Sequence, residues 1–381
     1  MNDMLDAQFA FLNEADRLKS VNRANCLLDG SRDENSAEHS WHVALWALVF
    51  ADYAAPDTDI GRVIAMLLLH DLVEIDAGDH PIHLPNAGQA EAEEKAARRL
   101  FGLLPPTLGT SMRQIWDEFE QGQSAEARFA KQIDHAQPLF QVLCAAAPRP
   151  DHLQIVHDNL TVGRAADLCT RWPEAFGAAQ AMLAGDKPTG CFAQTLAFLA
   201  EADALKSVDR ATTLCDASRP ENSAEHSWHI ALYALILADQ AGAGVDAARV
   251  IQMLLLHDLV EIDVGDVPIH SANGTAHSSA TVQADEAMAA ARIFGMLPNP
   301  LGDQLHVLWQ EFEATQTPSA RFAKSLDRVQ PVIQNIQCGG GTWQSYNVSF
   351  AQLQSRVGDK IADGAPRLWP YVRTRAAPFF Q

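Results

Sequence analysis

The segment MLLLHDLVEID at 66–76 is written again without change at 253–263. ENSAEHSWH stands at 34–42 and 221–229, and LKSVNR at 18–23 is matched by LKSVDR at 205–210, all at one offset of 187 residues. FGLLP (101–105) and ARFAK (127–131) recur as FGMLP (294–298) and ARFAK (320–324) at an offset of 193. The second copy therefore carries six further residues, placed in the loop around HSANGTAHSS. A period of this length far exceeds the roughly 20–50 residues of solenoid repeats and corresponds to a whole domain duplicated in tandem. The 381 residues fit two domains of ordinary size, expected at 1–187 and 188–381. The Gly/Pro-containing AGDKPTG (184–190) marks the join.

Within each copy the apolar pattern has a helical period. SAEHSWHVALWALVFADYA reads as a helix behind a Ser cap, with Glu38 in its first turn. DIGRVIAMLLLHDLVEIDAGD opens on an Asp, closes on a Gly and is apolar on most sides, as one central helix would be. QAEAEEKAARRLFGLL and SMRQIWDEFEQ add amphipathic helices, and no segment alternates at strand period over a useful length. The expectation is an all-α chain of two tandem helical bundles.

Composition narrows the functions open to such a chain. No apolar run approaches the roughly 18–20 residues of a membrane span. The first twenty residues carry acids early and read as an amphipathic helix rather than an export signal. Cys26, Cys144, Cys169, Cys191, Cys215 and Cys338 form no CxxC pair and do not recur between the copies, which fits a reducing cytoplasm and not a disulfide framework. A net charge of -20 opposes binding along a nucleic-acid polymer but leaves room for a small phosphate ester held by local cations.

Four residues in each copy have the chemistry of metal ligands: His39, His70, Asp71 and Asp134, then His226, His257, Asp258 and Asp327. Imidazole with carboxylate suits Mn, Co, Fe, Zn or Mg, and the lack of thiolate argues against a purely structural zinc. Two His and two Asp also leave coordination positions open for water and substrate. His70 and Asp71 sit among aliphatic neighbours, where charge is costly unless a cation compensates it. Glu74 and Glu261, four residues after the central His, share its helical face and can take or give a proton. Asp79 and Asp266, just past the helix-ending Gly, can orient substrate, share that transfer or cap the turn, whereas Asp76 and Asp263 read as turn formers. Arg23 and Arg210 are candidates for bidentate phosphate recognition, with Arg32 and Arg219 a second pair. Lys131 and Lys324 lie one helical turn before the last ligand, within reach of the same anion. His42 and His229 read as supports for a ligand, His83 and His270 recur in a loop without a role, and Trp41 and Trp228 read as core.

The run of an Arg, then SAEHS, then HDLVE followed by GD, then FAKQID resembles the HD-domain metal-dependent phosphohydrolase superfamily, named for its H…HD…D ligands. The nearer resemblance is to its 5'-deoxynucleotidase-like branch and covers about 120–130 residues of each copy. It implies an all-α HD domain at 1–187 and another at 188–381, each holding one divalent ion on the four residues above. It further implies hydrolysis of nucleoside 5'-monophosphates to nucleoside and phosphate, a catalytic acid at Glu74 or Glu261, a supporting Asp79 or Asp266, and phosphate contact by Arg23 or Arg210. Bacterial members carry a Trp directly after that Arg, where this chain has Ala24 and Ala211. The copies also diverge after the last Asp, with CAAAPRPD at 144–151 against QCGGGTW at 337–343, so a Gly-rich turn and a Trp can shape a pocket in one copy only. Because single-domain relatives act as homodimers, the duplication implies an intrachain pseudo-dimer. The expected partner is a small phosphorylated substrate, a nucleotide before others, with no nucleic-acid polymer and no membrane. Two other readings stand beside this one: a di-iron HD-type oxygenase recruiting His42 or His83, and a non-catalytic nucleotide-binding regulatory protein.

Overall fold

A computed structural model describes residues 2–80, 88–276 and 279–380. The first repeat begins with α1 (Asn2–Ala15), a hairpin of β1 (Asn22–Cys26) and β2 (Asp33–Asn35), α2 (Ser36–Val49), α3 (Ile60–Leu69) and α4 (Glu74–Ala77). It continues through α5 (Gln89–Phe101), α6 (Pro106–Gln121), α7 (Ala125–Leu143), α8 (Pro150–Thr161), α9 (Leu168–Arg171) and α10 (Pro173–Leu183). The second repeat opens with α11 (Gly190–Ala202), the hairpin β3 (Asp209–Thr213) and β4 (Pro220–Asn222), α12 (Ser223–Ile236), α13 (Ala247–Leu256) and α14 (Glu261–Val264). α15 (Ala280–Phe294), α16 (Leu301–Ala314), α17 (Pro318–Gln337), α18 (Thr342–Ser345), α19 (Phe350–Leu353), α20 (Asp359–Gly364) and α21 (Leu368–Ala376) complete it. The chain is all-α, as its periodicity predicts. No helix among the described residues is long and apolar enough to cross a membrane.

The two hairpins are additions to that expectation, too short for alternation to reveal. Each is an antiparallel pair, Asn22 opposite Asn35 in one and Asp209 opposite Asn222 in the other. They deliver the residue that caps the buried helix. The Asn35 side chain accepts from the backbone N–H of Ala37 and Glu38, while the Glu38 carboxylate accepts from the Asn35 N–H at 2.9 Å, a reciprocal capping box repeated by Asn222 and Glu225. The expected Ser cap is thus one residue late: Ser36 and Ser223 open the helices and their hydroxyls face elsewhere. Arg32 donates to Glu38 at 3.0 and 2.5 Å, and Arg219 does the same to Glu225, so this arginine pair staples the caps. Every residue of α2 is buried, with Trp41 and Trp228 fully enclosed, as their reading as core requires.

The long central helix breaks at the HD dipeptide. α3 ends at Leu69, residues His70–Val73 tighten into a 3-10 turn, and α4 restarts at Glu74. The Trp116 indole N–H donates to the His70 carbonyl at 3.2 Å, and the Glu74 N–H turns instead to the Asp71 and Leu72 carbonyls. Trp309 takes the His257 carbonyl in the same way, leaving the Glu261 N–H to Asp258 at 2.9 Å. With its ladder bond diverted, the backbone shortens its turn and aims His, Asp and Glu into one space. Gly78 and Gly265 then stop the helix at φ +75° and +74°, which favours glycine.

The chain forms two compact units that are offset from the sequence repeats. One comprises Leu18–Ala204 with Met296–Leu301, the other Met1–Arg17, Leu205–Gly295 and Gly302–Gln381. In the first unit α11, although it opens the second repeat, packs on α2 and α10. Its Phe192 ring lies 5.0 Å from Phe50 and 5.8 Å from Trp172 in an aromatic cluster. In the second unit α1 packs on α12, with Phe9 6.0 Å from Tyr233 and stacked at 5.0 Å on Tyr371. Each unit therefore takes its leading helix from the other repeat.

Candidate metal centre

Helix α2, the 3-10 turn that follows α3, and helix α7 bring the expected residues together in the first unit. His39 Nε2 lies 3.1 Å from Asp134 Oδ1, and His70 Nε2 lies 3.2 Å from Asp71 Oδ1 and 3.5 Å from Asp134 Oδ1. The imidazole centroids are 5.6 Å apart. In the second unit His226 Nε2 is 3.2 Å from Asp327, and His257 Nε2 is 2.9 Å from Asp258 and 3.9 Å from Asp327.

The other ring nitrogens fix the tautomers. His70 Nδ1 faces the Leu67 carbonyl at 2.8 Å and can only donate there. His39 Nδ1 lies 3.1 Å from Gln137 Oε1, because the Gln137 amide N–H groups donate to His42 Nδ1 at 3.2 Å and to Gln141 Oε1 at 3.0 Å. Both Nε2 lone pairs therefore point at the carboxylates of Asp71 and Asp134. His226 with Gln330 (3.0 Å) and His257 with the Leu254 carbonyl (2.9 Å) repeat the pattern. His70 Nε2 and His257 Nε2 are buried and make no hydrogen bond among the described residues.

Lone pairs facing lone pairs repel unless a cation sits between them, so the donor set fits a divalent ion held by two imidazoles and two carboxylates. The same demand for positive charge shows in His70. Burial favours its neutral form, yet Asp71 and Asp134 push it up to about 9. Burial likewise works against the Asp134 carboxylate, but the adjacent His39 and His70 imidazoles hold it well below the usual range.

Arg23, on β1, reaches into this cluster. Its Nη1 donates to Asp71 Oδ2 at 2.8 Å and stands 3.8 Å from Glu74 Oε1 and from Asp79 Oδ1. Arg210 is placed alike, 2.7 Å from Asp258, 3.8 Å from Glu261 and 3.9 Å from Asp266. Burial raises the Glu74 carboxyl well above its ordinary value, Asp71 adds to that, and Arg23 pulls it back. Glu261 is raised by the same causes in the same order, burial and then Asp258. Ser36 donates to Glu74 Oε2 at 2.5 Å and Ser223 to Glu261 Oε2 at 2.5 Å, which is where the hydroxyls freed from capping go. Lys131 Nζ lies over the Phe119 ring at 4.3 Å, and Lys324 lies over Phe312 at 4.0 Å and 3.2 Å from Glu313. Asp76 pairs with Arg99 and Asp263 with Arg292 on the outer side.

His42 spends both nitrogens on support, Nδ1 on Gln137 and Nε2 on the Leu199 carbonyl of α11 at 3.1 Å. His229 bonds the Leu12 carbonyl of α1 at 2.9 Å. Asp203 accepts from the Leu28 N–H at 2.8 Å and from Gln141 at 2.9 Å, and Asp16 accepts from the Cys215 N–H at 2.7 Å. The exchanged helices thus complete the hydrogen bonding behind each first ligand. Gln137 and Asp203 carry no signal in the sequence beyond recurring as Gln330 and Asp16, and Ser36 and Ser223 read there only as helix caps. His83 lies outside the described residues, and His270 bonds Arg356 at 3.4 Å.

A model of the HD domain matches residues 15–175 and again 202–369. The chain belongs to the HD-domain family. Among HD-domain relatives it is similar to the human 5'-deoxynucleotidase HDDC2, 30% identical over 134 residues that make up 34% of this chain and 64% of that protein. It also resembles the 5'-deoxynucleotidase plu3092 of Photorhabdus laumondii, 25% identical over 43% of this chain and 84% of that one. A solved structure from Magnetospirillum magnetotacticum, described as a predicted metal-dependent phosphohydrolase, is 43% identical over 50% of this chain and 92% of its own, with a TM-score of 0.46. The match therefore spans a little under two thirds of the human relative's length. The HD domain implies a divalent metal, and the donor sets above have the chemistry to hold one.

Proposed function

We propose that this protein is a divalent-metal-dependent phosphohydrolase that releases phosphate from nucleoside 5'-monophosphates or similar small phosphomonoesters. The observation that carries the reading is the convergence of two tautomer-fixed imidazoles and two carboxylates beside a half-buried glutamate and a half-buried arginine. The names of the HD-domain relatives agree with it.

His39, His70, Asp71 and Asp134 would hold the ion in the first unit, and His226, His257, Asp258 and Asp327 in the second. A divalent ion there supplies Lewis-acid polarisation of a water and of phosphoryl oxygens. Glu74 Oε1 is the proton-handling atom: Ser36 ties down Oε2, and burial, with Asp71 beside it, keeps the carboxyl raised. Arg23 opposes that rise, and a carboxyl so placed can give or accept a proton. Arg23 sits between Asp71, Glu74 and Asp79, so its fork can turn to an arriving phosphate while those carboxylates keep it in place. Asp79 orients Arg23 and shares the proton. Lys131, packed on Phe119, adds a second positive charge on the open side. The second unit would use Glu261, Ser223, Arg210, Asp266 and Lys324 in the same roles.

The oxygenase reading needs further imidazole ligands, and His42 already commits both nitrogens to Gln137 and Leu199, which favours phosphoryl chemistry. The test is phosphate release from nucleoside 5'-monophosphates and small phosphomonoesters with Mn, Co or Mg. Turnover is expected to fall by about 10²–10⁴-fold in the E74Q/E261Q double variant. Undiminished turnover in that variant would remove both glutamates from the mechanism, and no turnover by the parent protein would support the regulatory reading.

A further inference from the structure

The two centres are alike at the ligands and unlike around them. The cavity over the first centre has a volume of about 440 Å³, whereas the one over the second measures about 100 Å³. Sites for drug-sized ligands run from roughly 300 to 1,000 Å³, so a nucleotide fits the first and exceeds the second. Coverage of the ligands agrees: the side chain of Asp134 is 24% exposed and that of Asp327 only 7%.

Named substitutions produce the difference. His135, beside the last ligand of the first centre, is replaced by Arg328, whose Nη1 lies 3.7 Å from Asp327 Oδ2. His152 and Asn159 of α8 line the first cavity, and Trp343 and Tyr346 line the second. The Trp is set there by a dedicated turn. Gly339, Gly340 and Gly341 all have positive φ, and Asn335 Oδ1 accepts from the Thr342 N–H at 2.6 Å and from its hydroxyl at 2.9 Å. A Cβ on Gly341 would come within 2.3 Å of Asn335 Oδ1, so the turn requires glycine there. In the first repeat the position of Asn335 is held by Val142, which offers no such bonds.

We propose that the two centres divide substrates by size: the first takes a whole nucleoside 5'-monophosphate, and the second, plugged by Arg328 and Trp343, takes only a compact phosphate anion. The inference rests on the phosphohydrolase reading and adds which centre meets the nucleotide. The test is binding to the Mn-loaded E74Q/E261Q full-length protein, read before its slowed turnover consumes the ligand. One deoxynucleoside 5'-monophosphate and two orthophosphates per chain are expected, and adding Trp343→Ala should raise the nucleotide count to two. In a separate assay, Glu74→Gln alone should lower nucleotide turnover about a hundredfold. Two nucleotides per chain with Trp343 in place, or half the turnover surviving in Glu74→Gln, overturns the inference and leaves the phosphohydrolase reading standing. Two orthophosphates with no nucleotide also overturns it. Binding of neither overturns the phosphohydrolase reading itself.

Discussion

At the scale of single residues, the centre depends on groups that never touch a ligand's metal-facing atom. Gln137 decides which His39 nitrogen carries the proton, because its amide N–H groups are taken by His42 and Gln141 and only its oxygen remains for His39. Replacing Gln137 with Leu frees the His39 ring to adopt the other tautomer, and metal affinity at the first centre should drop by about 10–100-fold. A competitive metal titration of the variant reads this; unchanged affinity for both equivalents would show that Gln137 does not set the tautomer. His39, His70, Asp71 and Asp134 were legible because only a few residue types bind divalent ions and these recur as a set. Gln137 and Ser36 recur just as faithfully, but a Gln or a Ser in a recurring helix has many innocent uses. Their roles follow from which neighbours already occupy their donors and acceptors, and only the folded geometry fixes that. Arg32 shows the converse, a guanidinium with phosphate-binding chemistry that donates to Glu38 in the cap.

At the scale of elements, helical periodicity located the helices and missed two local events. The apolar pattern predicts one continuous helix through the HD dipeptide, but an indole N–H from α6 captures the His70 carbonyl and shortens the turn. Such capture is a long-range contact, invisible to a pattern of neighbours. The second event is the exchange of leading helices. FAFLNEAD at 9–16 and LAFLAEAD at 196–203 present nearly the same apolar face and the same terminal Asp, so either helix suits either unit and sequence cannot assign them. The structure gives α11 to the first unit, where buried Asp203 accepts from the Leu28 N–H and from Gln141. Asp203→Ala leaves those buried donors unpaired and should destabilise that unit by about 1–3 kcal/mol. Denaturant unfolding followed by fluorescence in the full-length protein measures it, and the loss should fall on the unit that carries the first centre although Asp203 belongs to the second repeat. A loss confined to the other unit would contradict the exchange.

At the scale of the whole molecule, the duplication was the most legible feature, because eleven unchanged residues at a fixed offset leave no other reading. It predicted two centres, and the structure assembles the same donor set twice. Less legible was how far the copies have diverged around that set, since Arg328 for His135 and Asn335 for Val142 look like ordinary drift until the cavity between them is seen. The central claim is that the chain carries two divalent-metal centres. Equilibrium dialysis of the metal-stripped protein against Mn, with the bound metal counted per chain, tests it most directly. Two tightly held ions per chain are expected, one after His70→Ala and none after His70→Ala with His257→Ala. Two ions still bound in that double variant, or none in the parent protein, would contradict it.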